Sequence, residues 1–413
     1  MQIFMQPGAT QGQVQSIINH LKIIGAGSVS VSRENGAEVI HTNDQEWATF
    51  QSIRLMQGIR RITKGTKPLE DANVMEVIRL DPPSDYKKRL PVSDEVKKTV
   101  LCSRQEIEAI LTGKDLRFII ILGPCSIYDP IGGLEYAKKL APLARKYRDR
   151  LLIVMRSYFE KPRTTVGWEG LIQDPNLDES LDMQLGLQKA REFLLRVLKV
   201  GLPTATEFTD PITPQYIADL VCWGAIGARS AEAPAYRRMA SGLSMPVGFK
   251  NGTGGSIQLA VDGVVRAAAP SVFLGVDQEE GRASVVRTTG NASCHIVLRG
   301  SSRGPNYDEP SVKAAIQLLE RAGAIPRLLI DCSHDNSGKD YTRQPLVFRD
   351  VLRQRTEGNM RIVGVMLESN LHEGKQTING GPATLKYGVS ITDACISLEE
   401  TELLLREADK SLG

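Results

Sequence analysis

Eight short apolar runs, rich in β-forming residues, alternate with helical stretches from residue 117 to the C-terminus, and nearly every run ends in a polar or charged residue. Together these observations predict an α/β chain: a (β/α)8 barrel of the TIM type behind a small N-terminal ferredoxin-like domain of order βαββαβ. The expected division is 1–64, ferredoxin-like and regulatory; 65–116, a linker with N-terminal extension helices; and 117–413, the catalytic barrel.

In the first domain, residues 3–5 read as a strand ended by Pro7-Gly8. Residues 11–24 read as a helix with Val14, Ile17, Ile18, Leu21 and Ile24 on one side. Residues 28–33 alternate Ser and Val, and Asn35-Gly36 is a strong two-residue hairpin signal. Residues 37–42 return as a strand, 44–57 form a second helix and 59–63 close the set. That turn sets Val31 opposite Ile40 and Val29 opposite Thr42, both expected to pack on the helices. Ser30 beside His41 and Ser32 beside Val39 then share the other face, expected to be open to a partner domain or a ligand. In the linker, Pro82-Pro83 and Pro91 interrupt regular structure, and Ser103-x-x-Glu106 reads as the capping box of a helix that stops at Gly113.

Barrel strands are expected at 118–122, 151–155, 203–208, 225–228, 246–249, 271–276, 327–330 and 362–367. Helices are expected at 135–147, 181–198, 216–223, 257–268 and 312–322, and a hairpin of 284–289 and 295–299 as an insertion after the sixth strand.

Composition limits the function classes. The chain has 413 residues, 41% hydrophobic and 24% charged, as a soluble globular protein does. A net charge of +3 is too small to imply nucleic acid or an anionic membrane. No apolar run approaches the roughly 18 residues of a membrane span. The N-terminus lacks a signal peptide's basic and long apolar regions. Six cysteines without a CxxC pair read as reduced thiols of a cytoplasmic protein.

Barrels of this type carry chemistry at the carboxyl ends of their strands. Those ends hold Cys125, Arg156 with Lys161 and Arg163 beyond it, Glu207, Arg229, Lys250, Arg299, Asp331 with His334, and Glu368, followed by Asp393. Cys125, His334, Glu368 and Asp393 combine a thiolate, an imidazole and two carboxylates, a donor set for a divalent ion softer than Mg²⁺. Arg156, Lys161, Arg163, Arg229, Lys250 and Arg299 are too cationic for a neutral substrate, and so much like charge calls for anions to offset it. Two phosphorylated substrates, one also a carboxylate, fit that demand.

From about Leu80 onward the chain resembles the type I 3-deoxy-D-arabino-heptulosonate 7-phosphate (DAHP) synthases. The resemblance rests on GPCSIYDP, MRSYFEKPRTTVGWEGLIQDP, ITPQYIADL, WGAIGAR, PVGFKNGT, GNASCHIVLRG, NYDEPSV, SHDNSGK, GVMLESNLHEG and SITDAC, in one order. The barrel follows the type Iα pattern, and residues 1–64 resemble the small domain of type Iβ enzymes, with MQPGAT the nearest local match. The chain departs from the usual pattern after Arg229, reading Ser-Ala-Glu-Ala-Pro where Thr-Thr-Glu-Ser-Gln is common.

The resemblance implies a transferase condensing phosphoenolpyruvate with erythrose 4-phosphate, the first committed step toward chorismate and aromatic amino acids. It implies one divalent metal ion (Mn, Fe, Co or Zn) on Cys125, His334, Glu368 and Asp393. Arg156, Lys161, Glu207, Ala228, Arg229, Lys250 and Arg299 match the phosphoenolpyruvate site, and Lys161, Pro162, Arg163 and Thr164 the erythrose 4-phosphate loop. Lys161 or His334 would handle the proton on the new alkoxide, beside Cys125 and Asp393 at the reacting centre. An aromatic amino acid, Tyr or Phe, is the expected effector. Ser30, Ser32 and His41 on the N-terminal sheet are one candidate site for it. Pro214, Gln215 and Ser244, which match the type Iα inhibitor pocket, are the other. A homo-oligomer, dimer or tetramer, is expected. Competing readings are a synthase using arabinose 5-phosphate, a barrel aldolase with a lysine Schiff base, and a non-catalytic sensor of aromatic amino acids.

Overall fold

The structure, a computed structural model, describes all residues except 35–36, 45–46, 55, 64–73, 75–76, 162–166 and 379–380. The chain divides into two compact units, Met1–Arg79 and Leu80–Gly413.

The first unit runs β1 (Gln2–Met5), α1 (Gln11–Ile23), β2 (Val29–Glu34), β3 (Ala37–Thr42), α2 (Trp47–Ile53) and β4 (Ile59–Thr63). Its sheet is antiparallel in the order β2-β3-β1-β4, the ferredoxin-like topology. A capping box of Thr10 and Gln13 starts α1. The apolar stripe Val14, Ile17 and Leu21 then closes over Ile3, Met5 and Ile40. The hairpin register is the expected one, with Val31 opposite Ile40 and Ser30 opposite His41. The expected turn at Asn35-Gly36 lies outside the described residues. Two side chains depart from expectation. Val31 is 45% exposed, because β2 is the edge strand. Val39, on the face expected to be open, is fully buried.

The second unit opens with α3 (Pro83–Arg89) and α4 (Asp94–Thr112). The capping box expected at Ser103 is not there. The helix starts at Asp94, where the Ser93 hydroxyl accepts from Val96 N and two acidic residues face the helix dipole, and Ser103 is buried mid-helix. Gly113, in the left-handed conformation, ends it as expected. Helix α4 lies across the amino-terminal end of the barrel. Arg104 donates to Val221 O, Arg327 donates to Leu111 O, and Ser103 and Glu106 share a cavity with Leu151 and Pro203.

The barrel then follows: β5 (Phe118–Gly123), α5 (Pro130–Lys146), β6 (Leu151–Arg156), α6 (Met183–Lys199), β7 (Thr204–Glu207), α7 (Pro214–Ile217), β8 (Trp223–Ile226), α8 (Pro234–Ala240), β9 (Val247–Lys250), α9 (Gln258–Ala268), β10 (Ser271–Val276), β11 (Ala283–Thr288), β12 (Cys294–Leu298), α10 (Glu309–Arg321), β13 (Leu328–Asp331), α11 (Gln344–Thr356), β14 (Ile362–Asn370), β15 (Ile396–Ser397) and α12 (Leu398–Ser411). Strands β5, β6, β7, β8, β9, β12, β13 and β14 pair in parallel, and β14 closes on β5. They read as continuous apolar runs because side chains on both faces are buried.

The sixth barrel strand is not the one the sequence pattern predicts. Residues 271–276 pair antiparallel with β11 as a separate ribbon, while β12, buried throughout, takes the barrel position between β9 and β13. Leu274, 80% exposed, shows that a β-rich apolar composition does not by itself place a strand in the barrel. The helix expected at 216–223 is one turn of α7 and a 3-10 turn, because Trp223 already belongs to β8.

Candidate active site

The carboxyl ends of the barrel strands deliver the polar side chains to one place. Arg156, Glu207 and Lys250 are the last residues of β6, β7 and β9, and Arg299 follows β12. Asp331 ends β13, Glu368 lies near the end of β14, and Cys125 and Asp393 follow β5 and precede β15. The turn into Cys125 needs glycine. Gly123 has φ +152°, and a Cβ there would stand 2.7 Å from the Arg156 carbonyl.

Cys125, Glu368 and Asp393 bring their ligand atoms within 4.8 Å of one another. The Lys161 ammonium stands among them, 2.7 Å from Asp393 Oδ2 and 3.1 Å from Cys125 Sγ. Burial opposes the Lys161 charge, but Cys125, Glu368 and Asp393 outweigh it and hold the ammonium well above the usual lysine range. Burial also opposes the Asp393 charge, and Lys161 overcomes it, so this carboxyl is held well below the usual range. Burial, with Glu368, pushes the Cys125 thiol up. A thiol and two carboxylates gathered around a cation is the chemistry of a cation site.

His334 stands beside that group. Its Nε2 is 3.7 Å from Glu368 Oε1, while Nδ1 lies 2.8 Å from Asp331 Oδ2 and 2.9 Å from Ser333 Oγ. With Nδ1 engaged, Nε2 is the nitrogen left for a metal. His334 itself has φ +56°, a sparsely populated conformation that aims the ring.

The cations are more evenly balanced than the sequence suggested. Arg156 pairs with Glu368 at 2.9 Å, Lys250 with Glu207 at 3.2 Å and Asp331 at 3.5 Å, and Arg299 with Asp335. The expected need for anions is therefore met partly by the protein's own carboxylates. Burial opposes the charge on Glu207 and Asp331. Lys250 on the first, and His334 and Lys250 on the second, hold them below the usual range all the same. Arg156 is fully buried, hydrogen-bonded to the carbonyls of Pro124 and Cys125, and stacked 3.6 Å over Tyr158. Ala228 is half-buried just past β8, and Arg229 beside it is exposed. Pro162, Arg163 and Thr164 lie outside the described residues.

Three contributors were not singled out in the sequence. Tyr158 carries the Arg156 stack, Asp335 pairs Arg299, and Gln344 brackets the Glu368 peptide through both its amide atoms. Tyr158, two residues beyond Arg156, and Asp335, directly after His334, left local signals; Gln344 left none.

A second cavity, of about 460 Å³, lies away from this cluster. Pro214, Gln215 and Ser244 line it together with Lys87, Lys97 and Asp219. On the N-terminal sheet, Ser32 Oγ is 2.6 Å from His41 Nε2, and Ser30 is exposed.

The sequence profile of the DAHP synthetase I family matches residues 91–406. The chain belongs to the DAHP synthetase I family. It is 48% identical over 345 residues to the Tyr-sensitive phospho-2-dehydro-3-deoxyheptonate aldolase of Escherichia coli K12, covering 84% of this chain and 96% of that protein. It is 46% identical over 340 residues to the tyrosine-inhibited enzyme of Schizosaccharomyces pombe, covering 82% and 91%. A solved structure of the Francisella tularensis SCHU S4 enzyme superposes with a TM-score of 0.80 at 44% identity, over 82% of this chain and 98% of that one. The chain is thus a DAHP synthase, and its barrel is the family's barrel. Among the described residues no helix is long and apolar enough to cross a membrane.

Proposed function

We propose that this DAHP synthase joins phosphoenolpyruvate to erythrose 4-phosphate at the cluster of Cys125, Glu368 and Asp393, with His334 as the fourth donor to a divalent metal. The observation that carries the reading is the cation already held there: Lys161 lies between Cys125 Sγ and Asp393 Oδ2. The donor set fits a metal softer than Mg²⁺. When bound, that ion supplies Lewis acidity at the aldehyde of erythrose 4-phosphate.

The chain's own residues do the rest. Arg156, Arg229, Lys250 and Arg299, with the Ala228 amide, hold the phosphate and carboxylate of phosphoenolpyruvate and fix its approach. Glu207 holds Lys250 in place at 3.2 Å. The enol carbon of phosphoenolpyruvate adds to the aldehyde carbon. Water adds at C2, and phosphate leaves by C–O cleavage. Lys161 stabilises the negative charge that develops on the aldehyde oxygen. With Pro162, Arg163 and Thr164 it also holds the erythrose 4-phosphate. Removing metal with EDTA should abolish turnover and readdition restore it, while Cys125→Ala should bind far less metal by elemental analysis. Full metal content in that variant would refute the assignment.

Feedback control belongs to the same proposal. The relatives are named for sensitivity to Tyr or Phe. The cavity beside Pro214, Gln215 and Ser244 offers Lys87 and Lys97 for a carboxylate and Asp219 for an ammonium. The N-terminal sheet offers less, since His41 already bonds Ser32 and the neighbouring Val39 is sealed. An inhibition panel with Tyr, Phe and Trp against Ser244→Phe tests it. Unchanged inhibition in that variant would move the site elsewhere.

A further inference from the structure

Glu160 is a carboxylic acid buried to 3% exposure, one residue before Lys161. Its backbone bridges to Gly170, and Lys161 N donates to Glu169 O at 2.7 Å, so the two residues are set together. Gln173 Nε2 donates to Glu160 Oε1 at 3.1 Å and Thr213 Oγ1 donates to the same oxygen at 3.3 Å. Thr209 bonds the carboxyl from both main chain and side chain. Gln173 Oε1 is buried without a hydrogen-bond partner. Burial pushes the carboxyl up to about 7, with Asp210 adding to the rise and Gln173 and Thr209 opposing it.

The segment that holds Glu160 is also the wall of the second cavity. Asp210 Oδ1 accepts from Ile212 N at 2.7 Å and Thr213 N at 3.1 Å, and Tyr236 donates its hydroxyl to Thr209 O at 2.6 Å. Thr213 leads directly into α7, whose first residues, Pro214 and Gln215, line the cavity. On the other side of Glu160, the Lys161 ammonium touches Cys125 and Asp393. A carboxyl sealed from water and bonded to two segments at once is a rigid tie between them. None of the proposed chemistry uses it.

We propose that Glu160 is a positioning residue that ties the cavity wall, through Thr213, to the Lys161 ammonium, so that occupancy of the cavity and placement of that ammonium are coupled. The coupling half rests on the reading that the cavity takes an amino acid; the positioning half does not. A displacement of Thr213 moves Glu160, and Lys161 moves with it because they share a peptide bond.

The test is a double-mutant cycle on turnover. Glu160→Ala and Thr213→Val, singly and combined, are compared with Glu160→Gln, which keeps an acceptor for Thr213. Circular dichroism and melting confirm folding. Each disruptive single variant should lose about fivefold or more in kcat with KM for phosphoenolpyruvate nearly unchanged, and the pair should be no worse than the poorer single. Glu160→Gln should stay within about twofold of the parent. Strictly multiplicative losses, or parental kcat in Glu160→Ala, overturn the proposal. Should the alanine variant not fold, Thr213→Val against Thr213→Ser decides: the valine should lose about fivefold or more in kcat and the serine, which keeps the donor to Glu160, should stay within about twofold, and parental kcat in Thr213→Val overturns the proposal. In the second arm, calorimetry measures Tyr and Phe binding beside inhibition. Glu160→Ala should bind the effector within about threefold of the parent yet need at least about tenfold more for equal inhibition. Parallel inhibition in both proteins overturns the coupling. If the parent enzyme binds neither amino acid, the cavity reading fails, and the turnover cycle still decides the positioning role.

Discussion

Glu160 also makes a prediction about stability that does not depend on catalysis. Its carboxyl is raised by burial from 4.5 to about 7. In the unfolded chain it ionises near 4.5; in the folded barrel it keeps its proton until about pH 7. Below about pH 4.5 both states are protonated, and its contribution to stability is fully present. As pH rises toward 7 the unfolded state loses its proton first, so that contribution falls away. The gap between 4.5 and about 7, at about 1.36 kcal/mol per pKa unit, is about 3 kcal/mol. Glu160→Gln is a neutral substitute of nearly the same shape and removes the titration. All other groups are shared by the two proteins and cancel in the difference. Denaturant unfolding of parent and variant at about pH 5 and about pH 8 should show the variant gaining about 2–3 kcal/mol relative to the parent across that interval. Parallel pH profiles would refute the claim that this carboxyl is buried neutral.

Three further outcomes are expected. Arg191, fully buried, donates to both Asp219 oxygens and to the carbonyls of Leu90 and Tyr216, so Arg191→Met should cost about 3 kcal/mol in denaturant unfolding and loosen the cavity wall at Asp219; a loss under about 1 kcal/mol would show the pair is not needed. Gly364 in β14 has no room for a side chain, its Cβ falling 2.4 Å from the Ile119 carbonyl of the neighbouring strand, so Gly364→Ala should destabilise the barrel by about 2 kcal/mol, and an unchanged melting temperature would refute that. A chain beginning at Leu80 should keep turnover and its inhibition by an aromatic amino acid, and loss of inhibition alone would return the effector site to the first unit.

What the sequence disclosed and what it hid follow physical lines. The barrel strands were legible because burial on both faces leaves unbroken apolar runs, as in Phe118–Gly123 and Leu151–Arg156. Most of the rim residues were legible because they follow such runs, whereas Asp393, which precedes β15, had no strand end to mark it. The ribbon β10–β11 was not separable from a barrel strand, since pairing partners decide that and a one-dimensional pattern does not contain them. The start of α4 was misplaced because Ser103-x-x-Glu106 has the spacing of a cap, while Ser93 makes the bond. Glu160, Asp335 and Gln344 are hard to see in the sequence for one reason: each bonds a residue far away in the chain, Thr213, Arg299 and Glu368 respectively.

Helix α4 gives the barrel its floor, and that settles where the molecule can be cut and rejoined. Val96, Val100, Ile107, Ile110 and Leu111 of this helix belong to the same apolar core as the barrel strands, and Arg104 and Arg327 rivet it in place. The catalytic piece as an exchangeable module therefore begins at Leu80, well ahead of the first barrel strand. Whatever module stands ahead of that seam has its own core around Ile3, Ile17 and Ile40. A gene recombined at the seam would replace the front module whole and leave floor, rim and second cavity travelling together as one inheritance.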